Sequence, residues 1–509
     1  FRCHNVKEHK GRVTMEGLGK FESIFHPRSV AVIGVSAKET GFGTYFLNSL
    51  IQFGFKGKIY PVHPGTTEIS GLKAYPSVKD ISDPIDLAFI SIPAQGVPAV
   101  MKECAEKDIG TVVIFTAGFS ETGEKEGQRL EEEIVKISRR SHIRVIGPNC
   151  FGIYCPSSGL TLVPGADFSK KSGQVALLSQ SGVYATSFCR QAVGFGINFS
   201  KVVSYGNACD LNEADFMEYL SEDPETKIIT AYLEGVKEGR RFLKIVQDVA
   251  KRKPVIIWKG GTTETGARAA MSHTGALSGR EEIWNAFFRQ TGAVRVNSLE
   301  DLVDTTLAFL HLPTSCGRRV AVIGGGGGMS VAAADACEQV GLLVPILSRE
   351  TQGRLREVLP SVGTSFRNPI DMGRPIIGFI SPSQYREVLE IAAEDPQIDM
   401  LIIVQDVRFF SYMGREAFQE TIEAPMKINK ACEKAILMVL SPTPSEVEMM
   451  EVEMEWRRTR DRYLASNIPV YLTLEQAAKA LANFVNFYER LHKSENALCS
   501  ACSGSGGLI

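Results

Sequence analysis
Three times along this chain a short apolar strand runs into a turn of glycine or small hydroxyl residues and then into a helical pattern. The starts are Val30–Gly34 (VAVIG) before VSAKETGFGTYFLNSL, Gln174–Leu178 (QVALL) before SQSGVYATSFCRQA, and Val320–Gly324 (VAVIG) before GGGGMSVAAADACEQVG. A buried strand leading through a tight turn into a helix is the opening unit of a doubly wound sheet. Val- and Ile-rich runs then alternate with helical stretches: IDLAFISIP, TVVIFTAGF and IRVIGPNC after the first start, FSKVVSYGN, KIITAYLEG and PVIIWKGG after the second, MLIIVQDV, AILMVL and IPVYLT after the third. Strands with near-continuous apolar character are covered on both faces, which implies parallel sheets between helical layers. The expected fold class is α/β, with three doubly wound parallel-sheet domains. Periodicity breaks over Pro156–Gly173 and Leu312–Arg319, which sets the expected domains at 25–155, 172–312 and 317–490. Residues 1–24 read as an N-terminal extension, and 495–509 (NALCSACSGSGGLI, from Asn496) as a low-complexity, disordered tail.

Charge narrows the partners. Lys+Arg 56 against Asp+Glu 58 gives a net −2, so there is no global attraction to nucleic acid or anionic lipid, and any polyanion must be held by local architecture. No apolar run reaches the roughly 18 residues that a membrane-crossing helix needs. The basic stretch around Arg2, Lys7 and Arg12 has no apolar segment behind it, so it does not read as a secretion signal. Eleven cysteines are scattered rather than paired in a framework, which reads as free thiols and a cytoplasmic protein. Met15 reads as a start codon position.

The first turn, Gly34 to Gly43, opens a helix and presents backbone amides to a pyrophosphate. It is not a strict GxGxxG, and strand two ends in Val62-His63-Pro64-Gly65, without the acid that grips a ribose diol in a nicotinamide site. A nicotinamide-dependent oxidoreductase is therefore the weaker alternative. The second turn, Ser179-Gln180-Ser181-Gly182, sets two hydroxyls and small residues at a helix N-terminus, a phosphate cradle in sequence form whose plain alternative is a serine cap. His273 stands in Met271-Ser-His273-Thr-Gly, among small residues expected to form an approachable loop. Neutral imidazole accepts a phosphoryl group on one nitrogen when a carboxylate holds the other as N–H, and Glu234, at the carboxyl end of IITAYLEG, is the candidate orienting group. The glycines Gly324–Gly328 lack a Walker ending and read as structural, as does Cys150 in GPNC, a small packing residue.

Taken together and in order, VAVIGVSAKETG, IYPVHPG, GLKAYPSV, DLAFISIPA, TAGFSETG, IGPNCFGI, LLSQSGVYA, YLEG, SHTGAL, GGGGGMSVAAADACE and NPIDM resemble the α subunit of the NDP-forming acyl-CoA synthetases, from Phe25 to Phe487. That group contains ADP-forming acetyl-CoA synthetase and, more distantly, succinyl-CoA synthetase. The resemblance implies a Rossmann-like CoA-binding domain followed by two flavodoxin-like CoA-ligase domains. It implies CoA contacts at Gly34, Ser36, Lys38, Gly41, His63, Pro64, Pro93, Thr116, Ala117, Gly118 and Asn149. It also implies a phosphohistidine at His273 oriented by Glu234, with phosphate held by Ser179, Gln180, Ser181 and Gly182. The implied reaction converts acyl-CoA, phosphate and ADP or GDP reversibly to a carboxylic acid, CoA and NTP. No ATP-grasp segment is recognisable, so the implied partner is an ATP-grasp β subunit that binds most of Mg-ADP/ATP, in a hetero-oligomer. Thr66 and Ala117 stand where succinyl-type chains carry lysine and glutamate, which points away from succinate. The alternative reading of the same resemblance is a non-catalytic, CoA-binding regulatory protein.

Overall fold
The computed structural model describes residues 21–503 except 39, 164, 166, 275–278, 315–316, 325, 374–379, 409–413 and 442–449, and of 271–274, 415 and 494–503 only the backbone. Among the described residues the chain forms two compact units, one from residues up to 193 with 197–299, the other from 194–196 with 300 onward.

The first unit holds two sheets. The first contains β1 (Ser29–Ile33), β2 (Lys58–Val62), β5 (Leu87–Ile90), β6 (Thr111–Ile114) and β7 (Arg144–Ile146), with a small hairpin β3 (Glu68–Ile69) and β4 (Leu72–Lys73) beside it. Its order is β2-β1-β5-β6-β7, all parallel. Every residue of β1, β5 and β6 is buried, as the unbroken apolar runs require of strands covered on both faces. The helices Phe42–Phe53, Val97–Glu106 and Lys125–Ser141 connect them. The order reverses between β1 and β5, so the connections leaving these two strands diverge and open a crevice at their carboxyl ends.

The second sheet contains β8 (Gly152–Tyr154), β9 (Val175–Ser179), β10 (Phe199–Ser204), β11 (Ile228–Leu233), β12 (Val255–Lys259) and β13 (Val294–Val296). Its order is β13-β12-β11-β9-β10-β8, parallel except for β8, which pairs antiparallel with β10. The reversal here lies between β9 and β11. The strand β8 falls inside the range expected for the first domain, yet it completes the second sheet, because Ile153 and Tyr154 pair with Val203 and Val202. The two sheets thus share one folded body with a common core running from Phe46 and Phe89 to Leu178 and Ile229. Residues expected to end the N-terminal extension also belong to it: Phe21 stacks on Tyr219 at 5.2 Å beside Phe25 at 5.1 Å, the first residue of the expected domain, and Tyr219 Oη donates to Glu22 Oε2 at 2.9 Å. Residues 1–20 lie outside the described residues.

The second unit is built on β14 (Val320–Ile323), β15 (Met400–Gln405), β16 (Ala435–Leu440) and β17 (Val470–Tyr471), parallel in that order. On its other edge β14 bridges in parallel to Ile370. Asn368 holds that edge: its Nδ2 donates to the carbonyls of Val320 and Pro345 at 2.7 and 2.9 Å, and its Oδ1 accepts from the Val322 amide at 3.1 Å. The NPIDM motif therefore stitches the sheet, and Asp371 Oδ1 closes a turn by accepting from the Gly373 amide at 2.8 Å. The helix Leu299–His311, expected to finish the second domain, packs with this unit instead. Phe309 meets Phe484 at 5.1 Å, and Asn483 Nδ2 donates to Thr305 Oγ1 at 3.0 Å. The last helix runs Leu474–Ser503, so the Asn496–Ser503 stretch expected to be tail continues a helix. Its Ala and Leu residues sustain helix, and the glycines begin only at Gly504.

Within this unit Asp304 is 6% exposed, and burial, with Asp301 and Glu300 nearby, pushes its carboxyl pKa up to about 7. An acid whose folded pKa lies above its unfolded value binds more protons folded than unfolded, so stability falls as pH rises from about 4 to about 7. Asp304→Asn should flatten that slope and raise the unfolding midpoint at pH 8 more than at pH 5, as read by thermal melts at the two pH values.

Candidate active site
The two reversals put two sets of strand ends to use. At the first, Gly34 follows β1 with φ +93°, and a Cβ there would run into the Ser91 carbonyl oxygen at the end of β5. Only glycine lets the two strands approach so closely. Gly43 repeats the device one turn later, where a side chain would collide with the Gly34 carbonyl, so the helix Phe42–Phe53 sits directly against the turn. Gly41, φ +98°, is the residue before that helix. Ser36 Oγ accepts from the amide of the exposed Lys38 at 3.2 Å, and the Ser36 amide donates to Thr44 Oγ1 at 2.8 Å.

The remaining residues expected at this crevice follow the ends of neighbouring strands. His63 follows β2 and its Nδ1 accepts from the Gly65 amide at 3.0 Å, which leaves the neutral ring with its proton on Nε2, a donor. The exposed Pro64 forms the turn with Gly65. The exposed Pro93 precedes the short 3-10 turn Ala94–Gly96 after β5. Thr116, beyond β6, donates to the Ile92 carbonyl at 2.7 Å. Ala117 is exposed and Gly118 has φ +105°. Asn149, beyond β7, has φ 58° and its amide donates to the Thr116 carbonyl at 2.9 Å. The structure thus brings Gly34, Ser36, Lys38, Gly41, His63, Pro64, Pro93, Thr116, Ala117, Gly118 and Asn149 to one edge of the sheet. The Gly34 turn, with the helix Phe42–Phe53 seated directly against it, fits a ligand that brings a pyrophosphate to backbone at a helix start. Cys150 is sealed against the Ile114 and Ile146 carbonyls at the ends of β6 and β7, with burial pushing its thiol up to about 12.

At the second reversal, Ser179, Gln180 and Ser181 are all buried, and Gly182 begins the helix Gly182–Gly194. Ser179 Oγ donates to the Ser181 carbonyl at 2.7 Å, and Ser181 Oγ accepts from the Tyr184 amide at 3.4 Å. A Cβ at Gly182 would enter the ring of Phe151. Gln180 links this turn to the neighbouring strand end: its Oε1 accepts from the amides of Glu234 and Gly235 at 2.6 and 3.0 Å. Glu234 is 6% exposed and its Oε1 accepts from Tyr232 Oη at 3.2 Å. Gln180 therefore joins the start of this helix to the backbone that carries Glu234.

His273 was expected in an approachable loop. Its backbone instead lies in the last turn of the helix Glu264–Thr274, where alanines favour helix and Thr263 Oγ1 accepts from the Gly266 amide at 3.1 Å. Its side chain lies outside the described residues. That helix packs against the short turn Ser120–Thr122 beyond β6.

Sequence reading missed several groups. Lys259, at the carboxyl end of β12, is 4% exposed; burial lowers its ammonium pKa to about 8, against the pull of Glu234 and Glu281. Asn207, beyond β10, donates through Nδ2 to Glu121 Oε2 at 2.5 Å and Glu131 Oε2 at 3.0 Å. Glu121 Oε1 in turn accepts from the Gly118 amide at 2.6 Å. Asn207 and Glu121 bind the two crevices together, yet none of these residues belongs to a motif, and only a strand-end position marks Lys259 and Asn207 in the sequence.

Comparison with known proteins agrees with this geometry. Residues 28–156 match the model of a CoA binding domain, and residues 172–309 that of a succinyl-CoA ligase like flavodoxin domain. The chain is 40% identical over 405 residues to the acetate–CoA ligase [ADP-forming] II subunit alpha of Pyrococcus furiosus, covering 79% of this chain and 86% of that one. The chain belongs to the ADP-forming acyl-CoA synthetase family. It is 39% identical over 386 residues to acetate–CoA ligase [ADP-forming] I of Archaeoglobus fulgidus, 75% of this chain but 54% of the relative, so it spans about half the length of that protein. Among solved structures, an acetyl-coenzyme A synthetase 1 from Ca. Korarchaeum cryptofilum in complex with phosphate and ADP superposes with TM-score 0.78 at 30% identity, over 93% of this chain and 98% of that one.

The Gln180 bridge carries a direct test. Gln180→Ala leaves two buried amides without their acceptor, which should lower unfolding stability by roughly 2–4 kcal/mol, measured by urea titration of the unit's fluorescence.

Proposed function
We propose that this chain is the acyl-transferring and phosphohistidine-bearing subunit of an acyl-CoA synthetase, running acyl-CoA, phosphate and ADP reversibly to acid, CoA and ATP. The observation that carries the reading is the Gln180 bridge, because it fixes a phosphate-receiving helix terminus against Glu234 at the reversal of a sheet, where ligands of such sheets bind. CoA occupies the first crevice, with its pyrophosphate over the Gly34 turn. Phosphate rests at Ser179–Gly182, where the first-turn amides have no partner within the helix.

A phosphate oxygen attacks the thioester carbonyl carbon, the C–S bond breaks, and the thiolate leaves to take up a proton. One ring nitrogen of His273 then attacks the phosphorus of the acyl phosphate, and the carboxylate departs. Glu234 orients the imidazole by accepting from its other nitrogen. The phosphoryl group finally passes to ADP. Such transfers need positioning and charge stabilisation more than covalent chemistry from the protein. Nucleotide and Mg²⁺ belong mainly to an ATP-grasp partner chain in a hetero-oligomer, and Mg²⁺ there neutralises phosphate charge. The buried thiols Cys104, Cys150, Cys155, Cys189 and Cys337, all unpaired, support a cytoplasmic setting, and no helix among the described residues is long and apolar enough to cross a membrane.

Incubating the chain with an acyl-CoA panel and radiolabelled phosphate should give an acid-labile, base-stable label that His273→Ala removes while CoA affinity stays at the wild-type value. Loss of CoA binding in the same variant would instead assign His273 to the fold. Label retained after the substitution would place the phosphoryl group elsewhere.

A further inference from the structure
The segment that carries Glu234 is held at both ends by side-chain oxygens. Gln180 takes the amides of Glu234 and Gly235, and Glu213 Oε1 accepts from the Lys237 amide at 2.7 Å. Glu213 is the first residue of the helix Glu213–Glu222 and is 0% exposed. Its other oxygen, Oε2, has no hydrogen-bond partner among the described residues. Neither has the hydroxyl of Tyr205, also 0% exposed, which follows β10 with its amide on the Ser179 carbonyl at 3.0 Å. Glu213 and Glu234 both add to burial in pushing the Tyr205 pKa up. Tyr205 therefore stands within electrostatic reach of the two acids, beside the Ser179 turn.

A buried carboxylate oxygen that receives no donor is costly, and a proton on it removes the cost. The groups around Glu213 divide over its charge. Its own amide and the amide and ammonium of Lys237 favour the carboxylate; burial and Asp215 on the same helix oppose it, and burial prevails, so its pKa is raised. Arg241, from the next helix, is committed to Asp215 and Glu218, each at 2.9 Å. A carboxylic acid can carry its proton on Oε2 while Oε1 still accepts from an amide. We infer that Glu213 is a positioning residue for phosphoryl transfer: in its protonated form it clamps the Lys237 amide, fixes the segment that presents Glu234, and leaves Glu234 to carry the negative charge beside Tyr205. Ionised, Glu213 would set two like charges around one hydroxyl and disfavour the carboxylate that the imidazole needs. This rests on the His273 and Glu234 assignments proposed above.

Two variants test it. Glu213→Gln keeps an oxygen for the Lys237 amide and is neutral at every pH, whereas Glu213→Ala removes the clamp. The infrared difference spectrum of wild type against Glu213→Gln should show a protonated-carboxyl C=O band at neutral pH. Its absence overturns the inference whatever the activity. In the acyl-CoA and radiolabelled phosphate assay, followed between about pH 5 and pH 9, the wild-type rate should fall as rising pH ionises Glu213. Glu213→Gln should keep the neutral-pH rate and lack that fall. Glu213→Ala, checked for a cooperative melting curve, should lower the rate about ten-fold or more at unchanged KM for acyl-CoA, because Glu234 is misplaced while the first crevice is untouched. Where the alanine variant does not fold, the band and the glutamine profile decide. Equal damage from Gln and Ala, a wild-type rate in the folded Ala variant, or one pH profile shared by wild type and Glu213→Gln overturns the inference while leaving the phosphohistidine in place. Absence of label from the wild type overturns the phosphohistidine reading itself, and the positioning role falls with it.

Discussion
A doubly wound sheet has one place where connections leaving adjacent strands turn to opposite faces, and the chain uses that place in both sheets of its first unit. The constraint is steric before it is chemical. At β1 and β5 the strand ends come together as they do only because Gly34 carries no side chain to collide with the Ser91 carbonyl. At β9 and β11 the gap is bridged by Gln180, whose side chain supplies an acceptor to two amides that would otherwise be buried unpaired. The order of strands thus decides where ligands can sit, and a glycine and a glutamine decide how the strand ends meet and keep their shape.

The two places are held in register by polar contacts at one edge. Asn207 leaves the end of β10 and reaches the carboxylates of Glu121 and Glu131, and Glu121 fixes the amides of Gly118 and Phe119. Asn149 reaches Asn207 in turn at 3.4 Å. Moving the loop that carries Thr116 to Gly118 would strip acceptors from Asn207, so the crevice expected to hold the thioester arm and the one expected to hold phosphate move together or not at all. The antiparallel strand β8 adds a covalent route to the same coupling, since it leaves the first sheet through Asn149 and Cys150 and joins the second within a few residues. For a reaction in which a group passes from one bound ligand to another, such rigidity fixes the reacting distance in advance.

Most of this was legible in the chain. Period and turn chemistry place the strands of the first sheet and β9 to β12 of the second, because buried parallel strands have no polar alternation to obscure them, while the three-residue strands β8 and β13 are too short to show a period. The glycines declare themselves through the turns they make. Boundaries were less legible for a physical reason: β8 is short, the helix Leu299–His311 is ordinary in composition, and both are assigned by the partners they meet, Val202 and Val203 for one, Phe484 and Asn483 for the other. The helical setting of His273 was hidden by its small neighbours, which serve a loop and a helix equally well. Asn207 and Lys259 stayed silent because a single polar residue at a strand end acquires meaning only when another strand end lies beside it.

The two buried lysines of the second sheet make the same point through energy. Lys201, in mid-strand, donates to Asp223 at 3.0 Å and Glu225 at 2.8 Å, and these partners outweigh burial and raise its pKa. Its charge is committed to holding the start of β11 against β10. Lys259 donates to the Gly260 carbonyl and stands 5.2 Å from the Trp284 ring, and there burial prevails and lowers its pKa. Both are 4% exposed or less, so exposure does not distinguish them; the partner does. A buried cation with few partners costs stability wherever it sits, and this one is kept at the carboxyl edge of β12, within the pull of Glu234. A second negative charge arriving at the cradle would shift the balance toward the ammonium form, since an opposite charge nearby favours ionisation. The strand end that looks least stable on its own is therefore the one whose electrostatics improve when an anion binds.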